Sequence, residues 1–217
     1  LAARIVGWPV SYDRRGHIMF FEQFDSGWGN FHPTVNLTAT AELFPESTLQ
    51  GGYCVRLATP ASADAYAYIY AGFPLPASTT SLGLACFFAP DGTYTSLKLD
   101  VDYMSAPDDF VAGVKLIQAD KTVWLRTGED TWTQVGLWTP NVLAYYTWYY
   151  VKLVVDLATR KYVRVIIQGT TIDVSAVDLW VTTSPLSYLR LDAMLSGAAA
   201  AVGSCLLDCI TLTTQEP

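Results

Sequence analysis

Residues 148–174, WYYVKLVVDLATRKYVRVIIQGTTIDV, constrain the fold more than any other stretch of this chain. They read as strand, turn, strand, turn, strand. Val151, Leu153 and Val155 alternate with Lys152 and Asp156. After the turn Leu157-Ala158-Thr159-Arg160, the residues Val163, Val165 and Ile167 alternate with Arg164 and Gln168. A period of two puts successive side chains on opposite sides of a pleated strand, so each strand has a buried face and a wet face. Gly169-Thr170 then turns the chain into Thr171–Val174. Strands joined by such short turns are antiparallel neighbours, because a parallel crossover takes a dozen residues or more.

The pattern recurs along the chain. Strands are predicted near 18–24, 35–43, 52–58, 64–71, 80–88, 94–103, 110–118, 121–127, 131–135, 187–195 and 204–213. Turn signals separate them at Gly51-Gly52, Ala89-Pro90-Asp91-Gly92, Gly128-Glu129-Asp130 and Pro140-Asn141. Ser175–Leu179 reads as one helical turn. Ser196–Gly203 is Ala-rich but too short for a stable helix, and reads as a loop. Many short strands without a helical period predict an all-β, two-sheet antiparallel jelly-roll β-sandwich over residues 18–217.

Residues 1–17 do not alternate and contain Pro9 and the Arg14-Arg15 pair. They read as an extended N-terminal arm. Ile5, Val6, Trp8 and Val10 make it too apolar for a solvated tail. The arm is expected to dock on its own sandwich or on a neighbouring copy. No signal-peptide pattern is visible; a start at Leu1 fits either a removed leader or a beginning inside a longer product.

Composition sharpens the question of partners. Of 217 residues, 51% are apolar and 15% charged, where an average soluble domain has about 25% charged residues. There is no run of about 18 apolar residues to cross a membrane as a helix. The apolar excess is therefore buried within the fold or against other chains, and self-association is expected. The net charge is −7 and the longest basic run is Arg14-Arg15. Both disfavour nucleic acid and anionic membrane surfaces as partners. Cys54, Cys86, Cys205 and Cys209 show no zinc spacing. They read as small buried apolar residues, with a bridge from Cys54 or Cys86 to the last strand as the alternative.

Three segments carry a resemblance. Phe21-Glu22-Gln23-Phe24-Asp25-Ser26-Gly27-Trp28 resembles the opening strand of many jelly-roll carbohydrate-binding modules. Gly51-Gly52-Tyr53-Cys54-Val55-Arg56-Leu57 resembles a later strand of theirs, and Leu206-Leu207-Asp208-Cys209-Ile210-Thr211-Leu212 their closing strand. The 148–174 hairpins resemble the concanavalin A-like lectin and glucanase group, which shares the two-sheet architecture. The segment SYDRRGHIMFFEQFDSG is similar to uncharacterised sandwich proteins of phage and prophage origin. The resemblance to carbohydrate-binding modules implies a structural calcium ion held by Asp25 and Asp208. The family pattern has a second acid where Cys209 stands here, so one ligand is missing. The other reading is an aspartate that accepts backbone hydrogen bonds.

Tyr66, Tyr68 and Tyr70 share one face of one strand. Such a row can stack on sugar rings, bury in an interface, or pack across strands. Trp132, with Trp124, Trp138 and Trp148, belongs to the same question. Lys98, Asp100 and Asp102 alternate with Leu97, Leu99, Val101 and Tyr103, near Asp108 and Asp109. The spacing allows a glycosidase carboxylate pair. However, the E-x-D-x-x-E strand of concanavalin A-like glucanases is absent, so a solvated face is expected. His17 and His32 sit in no nucleophile motif.

These readings favour a non-catalytic structural or interaction protein, a jelly roll that decorates or builds a viral or extracellular particle. Its expected place is extracellular or on a virion surface. The alternative is a carbohydrate-binding module that uses exposed Tyr and Trp; a polysaccharide-active enzyme comes third. Either no cofactor or that structural calcium ion is expected. Partners are expected to be other copies, particle proteins or a glycan.

Overall fold

A computed structural model describes residues 15–45, 52–76, 79–138 and 147–217. In chain order the strands are β1 (His17–Glu22), β2 (His32–Val35), β3 (Thr40–Phe44), β4 (Cys54–Thr59), β5 (Tyr66–Phe73), β6 (Ser81–Gly92), β7 (Ser96–Ser105) and β8 (Asp108–Ile117). There follow β9 (Thr122–Arg126), β10 (Trp132–Leu137), β11 (Tyr149–Asp156), β12 (Lys161–Ile167), β13 (Thr170–Asp173), β14 (Trp180–Thr183), β15 (Ser187–Ser196) and β16 (Gly203–Thr214). Every pairing is antiparallel, and no helix forms among the described residues. Two eight-stranded sheets result. Sheet A runs β13-β12-β11-β6-β16-β4-β3 with β1 beside β16; sheet B runs β10-β9-β8-β7-β15-β5-β2 with β14 beside β8. The expected two-sheet antiparallel sandwich is the observed fold.

One continuous core lies between the sheets. Val151, Leu153 and Val155 of β11 and Val165 and Ile167 of β12 meet Leu97, Leu99 and Val101 of β7 and Leu189, Leu191 and Leu195 of β15. Removing that apolar surface from water, at about 25 cal/mol per Å², is what fixes the register, since a slip of one residue would invert every face.

Each sheet contains a fork. The outer edge of β16 is shared between β4, at Gly203–Leu207, and β1, at Ile210–Thr214. Between them Cys209 adopts φ 51°, and the register with β6 shifts. The buried Asp208 Oδ1 accepts the Cys209 N–H at 2.7 Å, so the bulge keeps its donor satisfied. In sheet B, β8 is shared between β14, at Asp108–Val111, and β9, at Val114–Ile117. Gly113 falls at that fork. Tyr162, reaching across from β12, fills it: its hydroxyl accepts the Gly113 N–H at 3.0 Å and donates to the Arg126 carbonyl at 2.7 Å.

Several local expectations are corrected. The predicted strand 35–43 is two strands in different sheets. Leu37 (φ 45°) and Thr38 (φ 62°) turn the chain from β2 to β3. Ala89-Pro90-Asp91-Gly92 is no turn but the end of β6, paired with β16. Proline is tolerated there because the pairing of β6 with β11 ends at Phe88, opposite Tyr149, and among the described residues no strand continues along that edge to need its N–H. Strand β14 goes unseen in the sequence, and Ser175–Leu179 before it is an irregular turn.

Of the side chains expected on the wet side of β11 and β12, Gln168 is exposed and Asp156 half-buried, but Lys152 and Arg164 are buried. Lys152 is 1% exposed; its ammonium lies 2.8 Å from Glu216 Oε1 and donates to the Arg15 carbonyl at 2.9 Å. Arg164 donates to Glu216 Oε2 at 3.2 Å and to the Pro217 carbonyl at 2.6 Å. Beyond β16 the chain turns at Gln215 (φ 54°) and brings these C-terminal groups over the sheet. Ala85, Phe87, Tyr150, Ile166 and Cys209 form a second apolar cluster on the same side. The four cysteines are free thiols and all buried, as the simpler reading held. β1 begins at His17, and Ile5, Val6, Trp8 and Val10 of the expected arm lie outside the described residues.

Candidate functional site: the outer face of sheet B

The face of sheet B turned away from the core carries a cluster of half-buried polar and aromatic side chains. Its composition follows from alternation. Where Leu97, Leu99 and Val101 point inward, Lys98, Asp100 and Asp102 point outward. Register places neighbours beside each of them. One row across the sheet reads His32, Tyr70, Asp192, Asp100, Gly113. The next reads Thr34, Tyr68, Met194, Lys98, Lys115, Trp124, Gln134. On the other side of the first row lie Gly72, Arg190, Asp102, Val111 and Trp180.

Aromatic groups bound this face at both ends. Tyr66, Tyr68 and Tyr70 form a half-buried ladder with centroids 5.8 and 5.9 Å apart, and His32 continues it at 5.4 Å from Tyr70. Trp124, Trp132 and Trp180 stand at the far end, all half-buried. Trp138 is buried instead, packed edge-on against Tyr149 and Phe88, and Trp148 packs against the outer clusters of sheet A. Of the four tryptophans singled out in the sequence, the structure brings Trp124 and Trp132 to the site. From Tyr68 to Gln134 the row crosses five strand spacings, about 24 Å.

Between the aromatic ends lies a polar floor. Arg126 reaches Asp100 Oδ2 at 3.4 Å and lies 4.9 Å from the Trp180 ring centroid. Arg190 pairs with Asp192 at 2.9 Å and lies 5.1 Å from the Tyr70 ring centroid. Asp100 Oδ1, Asp102 Oδ1 and Asp109 Oδ1 are buried without a hydrogen-bond partner. A Cβ on Gly113 would collide with the Asp100 carboxylate, so glycine is what lets that carboxylate lie on the floor. The expectation of a solvated face for Asp100 and Asp102 is therefore wrong. Burial pushes Asp100 up to about 7, against the pull of Arg126 and with repulsion from Asp192. Burial also pushes Asp102 to about 7, with repulsion from Asp192, Asp100 and Asp109 added. Asp192 and Asp109 are raised by burial as well. Lys98 and Lys115 are lowered, first by burial.

The sequence showed the tyrosine row, Trp132 and the Asp100–Asp102 alternation. It did not show their partners Arg126, Asp192, Arg190, Lys115 and Trp180, because register between distant strands brings these together. The alternation Arg190-Leu191-Asp192 inside a predicted strand was the one local sign.

Asp25 and Asp208 do not belong to this face. Asp25 Oδ1 accepts the Gly52 N–H at 2.8 Å and is exposed, while Asp208 is buried in the β16 fork. Among the described residues no group of three or more His, Cys, Asp or Glu is placed to hold a metal ion. A shallow recess of about 470 Å³ at Ala106, Pro107 and Thr183–Pro185 carries no titratable group.

No family model matches the chain, and no curated protein matches it in sequence. Solved structures do. An endo-β-1,4-glucuronan lyase from the fungus Trichoderma reesei aligns with TM-score 0.60 at 9% identity, over 91% of this chain and 96% of that one. A carbohydrate esterase from the Shiga toxin-encoding bacteriophage phi24B aligns with TM-score 0.57 at 14% identity, over 92% and 99%. A carbohydrate-binding module of the β-sandwich superfamily aligns with TM-score 0.50 at 10% identity, over 92% and 63%. At such identities the likeness is one of fold. This chain shares its two-sheet jelly-roll sandwich architecture with that lyase, that phage esterase and that carbohydrate-binding module.

Proposed function

We propose that this chain is a glycan-binding sandwich that takes an oligosaccharide along the outer face of sheet B, without chemistry of its own. The observation that supports this most is the row of half-buried aromatics at both ends of a floor of carboxylates and cations. Sugars offer an apolar ring face and a rim of hydroxyls. Flat aromatic rings suit the first, and charged hydrogen-bonding groups suit the second. The fold likeness to carbohydrate-binding sandwiches agrees with this reading. The particle-building reading rests on the low charge fraction, the apolar arm and the lack of recognisable catalytic motifs, and the fold likeness adds no support to it.

The test is affinity electrophoresis or calorimetry against a panel of soluble polysaccharides. Tyr68→Ala and Trp132→Ala should each weaken binding about tenfold, which corresponds to about 1.4 kcal/mol. Unchanged binding in both variants would remove the face from consideration. Polysaccharide breakdown that vanishes in Asp100→Asn with Asp102→Asn would show an enzyme instead.

A further inference from the structure

We infer that Lys98 and Lys115 form an acid-reading subsite, where the carboxylate or sulfate of an anionic saccharide sits between the two ammonium groups beside Trp124 and Trp132. This deepens the glycan reading and rests on it.

The two lysines are direct register partners across β7 and β8. Like charges set opposite each other in a sheet repel, and stable sheets usually pair opposite charges there. Elsewhere on this face the cations have acids within reach: Arg126 reaches Asp100 from β9, and Arg190 pairs with Asp192 two residues along β15. Among the described residues, Lys98 and Lys115 form no ion pair. Their row contains no acid, since Met194 lies beyond Lys98 and Trp124 beyond Lys115. The Lys115 ammonium lies 4.5 Å from the Trp132 centroid and 5.2 Å from that of Trp124, and Lys98 lies 5.7 Å from Trp132.

The surrounding charges do not resolve the repulsion. Asp100 and Asp130 attract Lys98, while Arg126 repels it. Asp100 is already engaged by Arg126. Burial, and for Lys115 the neighbouring Lys98, hold the ammoniums below the usual lysine value. An anion placed between them restores the missing counter-charge. Tyr68, in the same row, and the two tryptophans offer ring faces for the sugar that carries it. A neutral sugar would leave the repulsion in place, so the subsite selects for charge.

The test compares soluble polygalacturonate with its carboxyl-reduced neutral counterpart, and dextran sulfate with dextran, using the full chain. The wild type should bind one charged polymer at least tenfold more tightly than its neutral match. The two pairs tell carboxylate from sulfate. Lys98→Gln with Lys115→Gln should abolish that preference and leave the melting temperature unchanged or raised. Lys98→Arg with Lys115→Arg should keep the preference. Lys161→Gln, at an exposed ion pair away from this face, should have no effect. Equal binding of charged and neutral polymers would overturn the subsite, and so would a preference that survives the Gln variant. The glycan reading would then still stand if Tyr68→Ala weakens neutral binding. Binding of no polymer at all would overturn both.

Discussion

Asp102→Asn should stabilise this protein at pH 8 and leave it little changed at pH 4. Asp102 lies between Arg190 on β15 and Val111 on β8, with one carboxylate oxygen buried and unpartnered. Burial first, then the charges of Asp192, Asp100 and Asp109, raise its carboxyl from 3.8 to about 7. The folded state thus holds its proton more tightly than the unfolded state. The stabilisation linked to that proton is full below pH 4 and is lost as pH rises through about 7. A shift of some three units corresponds to about 4 kcal/mol if Asp102 alone carried it. Asp100, Asp102 and Asp192 repel one another and release their protons as a set, so one substitution recovers part of this, about 2 kcal/mol. For a domain of this size that is roughly 4–8 °C in melting temperature. Asparagine keeps the shape and removes the charge. Denaturant melts of both proteins at pH 4, 6 and 8 decide the matter. Wild type should lose stability steadily across the series, and the variant should lose less. A wild type as stable at pH 8 as at pH 4, or an Asn variant less stable than wild type at pH 8, would refute the account of a desolvated carboxylate cluster.

Other outcomes follow from buried groups elsewhere. Glu216→Ala should cost about 3 kcal/mol in chemical denaturation, because it removes the carboxylate shared by the buried Lys152 and Arg164. Tyr162→Phe should cost about 1–3 kcal/mol, because the Gly113 N–H and the Arg126 carbonyl at the sheet B fork lose their partner. The four thiols should resist a polar alkylating reagent in native buffer and react fully in denaturant. Burial pushes Cys54 up to about 12 and raises Cys86, Cys205 and Cys209 too, so thiolate is scarce at neutral pH. Prompt native labelling would contradict that.

The sandwich was legible because alternation is a local property. Leu97, Leu99 and Val101 announce an inward face without knowledge of what they pack against. The failures mark where a residue's role is set by distant strands. Pro90 reads as a turn until β6 is seen to run on past Phe88, where its pairing with β11 ends, along β16. Lys152 and Arg164 read as solvated until Glu216 arrives from the other end of the chain. The candidate site shows the same division. Alternation put Asp100 and Asp102 on the outer face correctly, and solvation was then assumed because charged residues usually face water. Nothing in the 97–103 stretch reveals that Asp192 lies opposite Asp100, that Arg126 reaches over from β9, or that Lys115 faces Lys98. An eight-stranded sheet turns single alternating strands into rows. A row of outward side chains has a chemistry that none of its contributors carries alone: the Tyr68–Met194–Lys98–Lys115–Trp124 row gathers two cations with no acid, and the adjacent row sets two acids face to face. The electrostatic character of the face is therefore a property of register.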